Sequence, residues 1–207
     1  MLLTGASGRT GRYIATLLGP RVRGLVRRAE QGQALINSGG EAVVGDLILA
    51  SAAERRRWLE SCEGVIFAAG ASAGGNPEAL DNLATVKLIE AAQAQGVTRF
   101  ILISSLGTDR PEQMPPMLRP FLNAKRKAEK ALVASGLEYT IIRPGGLSEQ
   151  GGVGLVRVAP QLGRSGIISR QDVAGATVLC LDKANTVSKT FDIIEGATPL
   201  PDALDSL

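Results

Sequence analysis

Short apolar runs recur along the chain, each separated from the next by a longer stretch with apolar positions at helical spacing. Met1–Leu3, Val22–Val26, Ala42–Val44, Val65–Ala69, Arg99–Ser104 and Tyr139–Arg143 read as six strands. Val65–Ala69 is apolar without a break, the pattern of a strand covered on both faces. Between these runs, Tyr13–Leu18, Glu30–Asn37, a segment from Ser51 to about Ser61, Pro77–Gln95 and Phe121–Ser135 read as helices. Ser51 is placed to cap the third of these, Pro77 to open the fourth, and Gly96 and Gly136 to end the fourth and fifth. Thr108–Pro120 holds four prolines and reads as a loop. Past the sixth strand, Pro144-Gly145-Gly146 stops the pattern, and a glycine-rich stretch runs to Gly166 with one short strand at Leu155–Val158. Gln171–Leu181 then reads as a helix, Phe191–Ile194 as a last strand and Leu200–Leu207 as a short terminal helix.

Six strand–helix alternations predict an α/β fold: a parallel, doubly wound sheet of the Rossmann type with helices on both faces. The 207 residues fit one domain, with residues about 145–170 on the side where a substrate would lie. Ligands of such sheets bind beyond the carboxyl ends of the strands, so candidate chemistry is sought there.

The first of those ends is the most informative. Gly5, Gly8 and Gly11 follow the first strand at three-residue spacing and open the first helix. That arrangement suits a pyrophosphate: a tight turn at Gly5, close backbone approach at Gly8, close helix packing at Gly11, and free amides at a helix N-terminus. Ser7, Arg9 and Thr10 fill the positions between and would add hydrogen bonds to phosphate. The same spacing in a chain with 25 glycines also arises from ordinary turns, but its place between strand and helix favours the nucleotide reading.

The second strand ends in Arg27-Arg28, where an NAD site would place an acid to accept from the ribose 2′-hydroxyl. Arg27 could instead pair with a 2′-phosphate, which predicts NADP(H) over NAD(H); the alternative is a pair of plain surface arginines. Asp46 and Leu47, after the third strand, could meet adenine, or Asp46 could cap a turn. Ala68, Ala69 and Gly70 end the fourth strand with side chains small enough for a cofactor to cross. Ser104 and Ser105 end the fifth, where a hydroxyl would bond a carboxamide or a substrate carbonyl, or simply close a turn. Lys125 lies on the following helix, and Pro144 and Gly145 either wall the nicotinamide or just terminate the sixth strand.

Composition narrows the classes. One Trp, two Tyr and four Phe leave an aliphatic core, and a net charge of +3 spread along the chain, with few aromatics between the basic residues, argues against nucleic acid. The chain has no histidine, which excludes a histidine triad or zinc site; no metal is expected. Cys62 and Cys180 form no CxxC motif and read as core residues or free thiols. No apolar run reaches the roughly 18 residues of a membrane span, and no leader is expected ahead of the first strand, so the expected location is the cytoplasm.

Taken together, Thr4-Gly-Ala-Ser-Gly-Arg-Thr-Gly11, Gly24-Leu-Val-Arg27, Gly45-Asp-Leu47, Phe100-Ile-Leu-Ile-Ser-Ser-Leu-Gly107, Ala124-Lys125, Ser135-Gly-Leu-Glu-Tyr-Thr-Ile-Ile-Arg-Pro-Gly145 and Ile168-Ser-Arg-Gln-Asp-Val-Ala174 resemble the atypical short-chain dehydrogenase/reductase superfamily. The likeness is to the group that includes NmrA-like proteins and flavin or biliverdin reductases. It implies a bound NADP(H), with Lys125 on the nicotinamide ribose and Ser105 as the serine beside the acceptor. The superfamily's Tyr-x-x-x-Lys pair is broken here: Phe121 stands four residues before Lys125 and has no ionisable hydroxyl. Two functions follow from the resemblance. One is an NADPH-dependent reductase acting on a small acceptor, conjugated (flavin- or quinone-like) or carbonyl, with Ser105 and Lys125 as its catalytic residues. The other is a catalytically weak, NmrA-like sensor or assembly factor working through a protein partner.

Overall fold

The computed structural model describes residues 1–207. In chain order the elements are β1 (Leu2–Thr4), α1 (Arg9–Leu18), β2 (Arg23–Val26), α2 (Gln33–Asn37), β3 (Glu41–Val44), α3 (Ala52–Leu59), β4 (Gly64–Phe67), α4 (Thr85–Ala94), β5 (Arg99–Ile103) and α5 (Arg119–Ala134). They continue with β6 (Glu138–Pro144), β7 (Gly146–Ser148), β8 (Leu155–Ala159), β9 (Ile167–Ser169), α6 (Arg170–Asp182), β10 (Lys189–Glu195), β11 (Thr198–Pro199) and α7 (Leu200–Asp205).

Nine strands form one sheet in the order β3-β2-β1-β4-β5-β6-β10-β8-β11. From β3 to β10 every pairing is parallel; β8 and β11 add an antiparallel edge. This is the expected Rossmann-type sheet. Its order reverses between β1 and β4, so the loops leaving those two strands diverge and open a crevice at the sheet's carboxyl edge.

The uninterrupted apolar runs have a simple cause. Neighbouring residues of one strand point to opposite faces, and both faces are covered. Leu3, Ile66, Ile101 and Ile142 enter a core with Ile14 of α1 and Val173 of α6. Their neighbours Leu2, Val65, Phe67, Phe100, Leu102 and Ile141 enter a second core with Trp58 of α3, Leu88 of α4 and Leu132 of α5.

Local signals placed most boundaries. Ser51 caps α3 through a reciprocal box, its hydroxyl accepting from the Glu54 amide while the Glu54 carboxylate accepts from the Ser51 amide. Four features depart from expectation. α5 starts earlier than expected, at Arg119, because Pro120 sits in its first turn, where proline's missing N–H costs no helix bond. The helix expected from Pro77 is wound as a π-helix over Glu78–Ala84 before continuing as α4. Ile167–Ser169 is a strand, β9, and pairs in parallel with β7, another strand the pattern did not show. The two-residue β11 was likewise too short to leave a periodic signal. No helix is long and apolar enough to cross a membrane.

Candidate functional site

The glycine loop is fixed by close backbone packing. Gly5 adopts φ +70°, and a Cβ there would lie 2.8 Å from the backbone of Ala68 and Ala69. A Cβ on Gly11 would fall 2.0 Å from the Gly5 carbonyl oxygen. The loop closes with the Gly8 amide donating to the Gly5 carbonyl at 2.8 Å. No side chain caps the start of α1, and its first turn carries no acid, so no side chain accepts from the amides at the positive end of the helix. Those features fit a diphosphate.

The other strand ends surround this loop in different states. The Arg27 and Arg28 amides both donate to Gln31 Oε1, and neither guanidinium enters an ion pair or hydrogen bond with the chain. Two free cations at the end of β2 suit a phosphate group. Asp46 has turn duties: its Oδ1 accepts from the amides of Ile48 at 2.8 Å and Leu49 at 3.2 Å. Leu47 is buried in the second core and its carbonyl accepts from Arg55, so Ile48 and Leu49 are the exposed apolar side chains there. Ala68 and Ala69 are half-buried, backed by the Gly5 loop.

Lys125 reaches across to Gly70. Its Nζ lies 2.9 Å from Asp81 Oδ1, and the Asp81 side chain is fully buried. Asp81 Oδ2 accepts from the Ala71 amide, while Oδ1 has the ammonium beside it but no donor on a hydrogen-bonding line. A Cβ on Gly70 would stand 3.4 Å from Asp81 Oδ1 and 3.7 Å from Lys125 Nζ, so the Gly70 backbone packs directly beside the pair. The wide π turn holds Asp81, a placement of the kind often met at functional sites. Asp81 was not singled out from the sequence; an acid among the buried positions of the helix was its only signal. Phe121, in the first turn of α5, is half-buried and precedes Lys125 by one helical turn. Lys127 pairs with Glu78 at the surface.

Ser104 and Ser105 separate. Ser104 is buried and donates its hydroxyl to Glu129 Oε1, which also accepts from Thr108 Oγ1 at 2.8 Å and Arg143 Nε at 3.1 Å. Arg143 Nη2 completes a two-pronged pair with Glu129 Oε2 at 2.6 Å. Burial alone would lower the Arg143 guanidinium, but the Glu129 carboxylate more than offsets it and holds its pKa up. Ser104 is therefore committed to an internal network. The Ser105 hydroxyl has only the adjacent Leu106 carbonyl at 3.3 Å and is the one left available at the strand end. Pro144 accepts from the Leu106 amide, joining the ends of β5 and β6. Gly145 is required by packing: a Cβ would lie 2.4 Å from the Gly166 carbonyl oxygen.

Arg9 and Thr10 meet residues from far along the chain. Arg9 Nη1 and Arg170 Nε each donate to Glu149 Oε1 at 2.7 Å, and Arg170 Nη1 lies 3.5 Å from Thr10 Oγ1. Glu149 and Arg170 were not singled out from the sequence, although Arg170 lies inside the quoted Ile168–Ala174 segment.

A groove of about 460 Å³ lies elsewhere, between α3 and α4, and includes none of the glycine loop, Ser105 or Lys125. No group of acids, cysteines and histidines could hold a metal ion. Burial pushes the Cys180 thiol up to about 11, which suits a core residue rather than a nucleophile.

Comparison with known proteins identifies relatives over the whole chain. The uncharacterized sugar epimerase YhfK of Bacillus subtilis is 40% identical over 214 residues, covering 100% of this chain and 99% of that one. Sanguinarine reductase of Eschscholzia californica is 31% identical, covering 93% of this chain and 88% of its own. A solved structure from Bacillus halodurans, named provisionally as an NAD-dependent epimerase/dehydratase, superposes with a TM-score of 0.93 at 34% identity, covering 100% of this chain and 98% of that one. A family described as NAD(P)H-binding matches residues 5–184, and the chain belongs to that family, within which the resemblance to atypical short-chain dehydrogenase/reductases fits.

Proposed function

We propose that this protein is an NADPH-dependent reductase that passes hydride to a small conjugated acceptor, flavin- or quinone-like, in the cytoplasm. The carrying observation is the Lys125–Asp81 pair beside Gly70 with Phe121 one turn before it. The site keeps a positioned cation for the nicotinamide ribose and lacks the acid that a plain carbonyl needs. The whole chain acts as one domain, with residues about 145–170 shaping the acceptor side.

Gly5, Ser7, Gly8, Arg9, Thr10 and Gly11 hold the diphosphate in this reading. Arg27 takes the 2′-phosphate, and its unpaired guanidinium supports NADP(H) over NAD(H). The Asp46–Leu47 segment borders adenine, and Ala68, Ala69, Gly70, Pro144 and Gly145 line the path of the cofactor. Ser104 holds the end of β5 from behind through Glu129, and Ser105 orients the acceptor. When bound, the reduced nicotinamide supplies a hydride. The negative charge that results is spread over the acceptor's conjugated ring, so water can deliver the proton and no side chain need do so. The same logic weighs against epimerisation at an alcohol carbon, despite the word epimerase in the names of two similar proteins. Taking hydride from an alcohol carbon requires a base for the hydroxyl proton, and Phe121 cannot be one. Phe121 also favours a second reading, a sensor that binds NADP(H) without turnover and reports to a protein partner.

Steady oxidation of NADPH in the presence of flavin or quinone acceptors is the expected result. Lys125→Ala should lower kcat/KM by about 100-fold, because the ribose loses its positioning contact. If a broad acceptor panel gives no turnover while NADPH binds in the micromolar range, the reductase reading is wrong and the sensor remains.

A further inference from the structure

Arg9 projects from the glycine loop and Arg170 from the start of α6, and between them stands one carboxylate. Glu149 Oε1 accepts from both at 2.7 Å, while Arg170 also approaches the Thr10 hydroxyl at 3.5 Å. The Arg170 side chain is 11% exposed, so it is a built part of the surface, whereas that of Glu149 is 58% exposed.

Glu149 lies at the tip of a segment fastened on both sides. Before it, Gly146–Ser148 is strand β7, paired with β9. After it, the Gly152 amide donates to Gln171, and the Val153 and Gly154 amides donate to the buried carboxylate of Asp172. Asp172 is itself held by the Ser169 hydroxyl at 2.8 Å. Only Glu149, Gln150 and Gly151 lie between the anchors, and a Cβ on Gly151 would meet nothing within 4 Å. Glu149 itself belongs to neither fastening.

We propose that Arg9, Thr10 and Arg170 form an anion seat over the N-terminus of α1, and that Glu149 is its internal occupant, displaced by the cofactor's diphosphate. The proposal rests on the dinucleotide reading above and adds Arg170 as a phosphate ligand and Glu149 as a competitor. Charge explains the direction of exchange. Two guanidinium groups face one carboxylate in the latched arrangement, leaving one positive charge unbalanced. A diphosphate carries two negative charges, balances both arginines and still meets the uncapped end of α1. Glu149 keeps the arginines extended toward the loop in the meantime and lowers the apparent affinity by the fraction of time the latch is closed.

Calorimetric titration with NADP⁺ and, separately, inorganic pyrophosphate tests this on the wild type, Glu149→Gln, Arg170→Gln and the double variant. Wild type binds NADP⁺, and Glu149→Gln binds both probes roughly five- to tenfold more tightly because the latch is gone. Arg170→Gln weakens both by about tenfold, and in that background Glu149→Gln gains less than about threefold, the mark of coupled residues. Arg170→Lys, which keeps charge but loses the planar fork, falls between wild type and Arg170→Gln. Wild-type binding with no tightening, or a weakening, in Glu149→Gln overturns the latch and leaves the dinucleotide reading intact. No NADP⁺ binding to wild type overturns that reading, and the seat with it.

Discussion

Glu129→Ala is expected to lower the unfolding free energy by about 3–5 kcal/mol, as removal of one partner from a buried ion pair does. Glu129 is buried and accepts from four groups: the Ser104 and Thr108 hydroxyls and two nitrogens of Arg143. Its loss would leave the Arg143 side chain, 14% exposed, charged and without its counter-ion. Two buried hydroxyls would lose their acceptor as well. Neighbouring acids do not replace it at once. Asp192 is fully buried, and burial pushes its carboxyl up, only partly offset by the Leu162 amide and Arg143, and it makes no hydrogen bond to Arg143. Glu129→Gln keeps an oxygen acceptor but loses the charge, and should cost less, about 2 kcal/mol. Denaturant unfolding followed by far-UV circular dichroism measures both. A cost under about 1 kcal/mol for Glu129→Ala would show that the network is wet or loosely formed. Because Ser104 is anchored here, the same variants should also impair any acceptor positioning by Ser105.

Gly11→Ala carries the second large effect. Its φ is not in the left-handed region, so the damage is steric: the new Cβ would lie 2.0 Å from the Gly5 carbonyl oxygen. That oxygen is backbone, held in the loop by the Gly8 amide, and cannot rotate away as a side chain would. α1 must shift off the sheet or the loop must open, at a cost of about 3 kcal/mol. Either movement displaces the amides that face the diphosphate, so nucleotide affinity should fall by more than about tenfold. Gly19→Ala is the control. Gly19 has φ +54°, and a Cβ there meets nothing within 4 Å. With ψ −125° it lies outside the left-handed helical well, so Ala should cost only the backbone term, about 1–3 kcal/mol, and leave nucleotide binding unchanged. Thermal unfolding and titration of both variants separate close packing from conformational strain.

Much of the fold was legible because it is written locally. Apolar runs such as Val65–Phe67 name strands covered on both faces, and Ser51, Gly96 and Gly136 mark helix ends whatever the distant contacts. Gly5 and Gly11 were legible for the same reason, since their spacing encodes the turn and the helix packing in eleven consecutive residues. Elements whose stability comes from pairing across the chain were not. Gly146–Ser148 and Ile167–Ser169 are each three residues long and become strands only by meeting each other. The π winding at Glu78–Ala84 leaves no separate trace in the apolar pattern, and Asp81 within it pairs with Lys125.

The site divides along the same line. The candidates Arg27, Gly70 and Ser105 follow from counting along the strands to their ends, and Lys125, on α5, from the spacing of the superfamily motif. Their partners could not be found this way, because Asp81, Glu129, Glu149 and Arg170 act through contacts between residues 14 to 160 positions apart. Two clues existed in hindsight. Glu129 falls among the buried positions of α5, where an acid must have a partner. Ser169 and Asp172 are spaced as a helix start, which fixes where Arg170 emerges. Ser104 and Ser105 show the limit most clearly: adjacent and identical in sequence, one faces Glu129 and the other the strand end.

Both functional readings require a phosphorylated adenine dinucleotide lying across the carboxyl edge of this sheet. Titration of the wild type and Arg27→Ala with NADPH and NADH by intrinsic cofactor fluorescence tests it most directly. Wild type should bind NADPH in the micromolar range and NADH at least about tenfold more weakly, with Arg27→Ala erasing most of that difference. Equal affinities in the wild type would contradict the role given to Arg27, and no detectable binding of either nucleotide at millimolar levels would contradict the account as a whole.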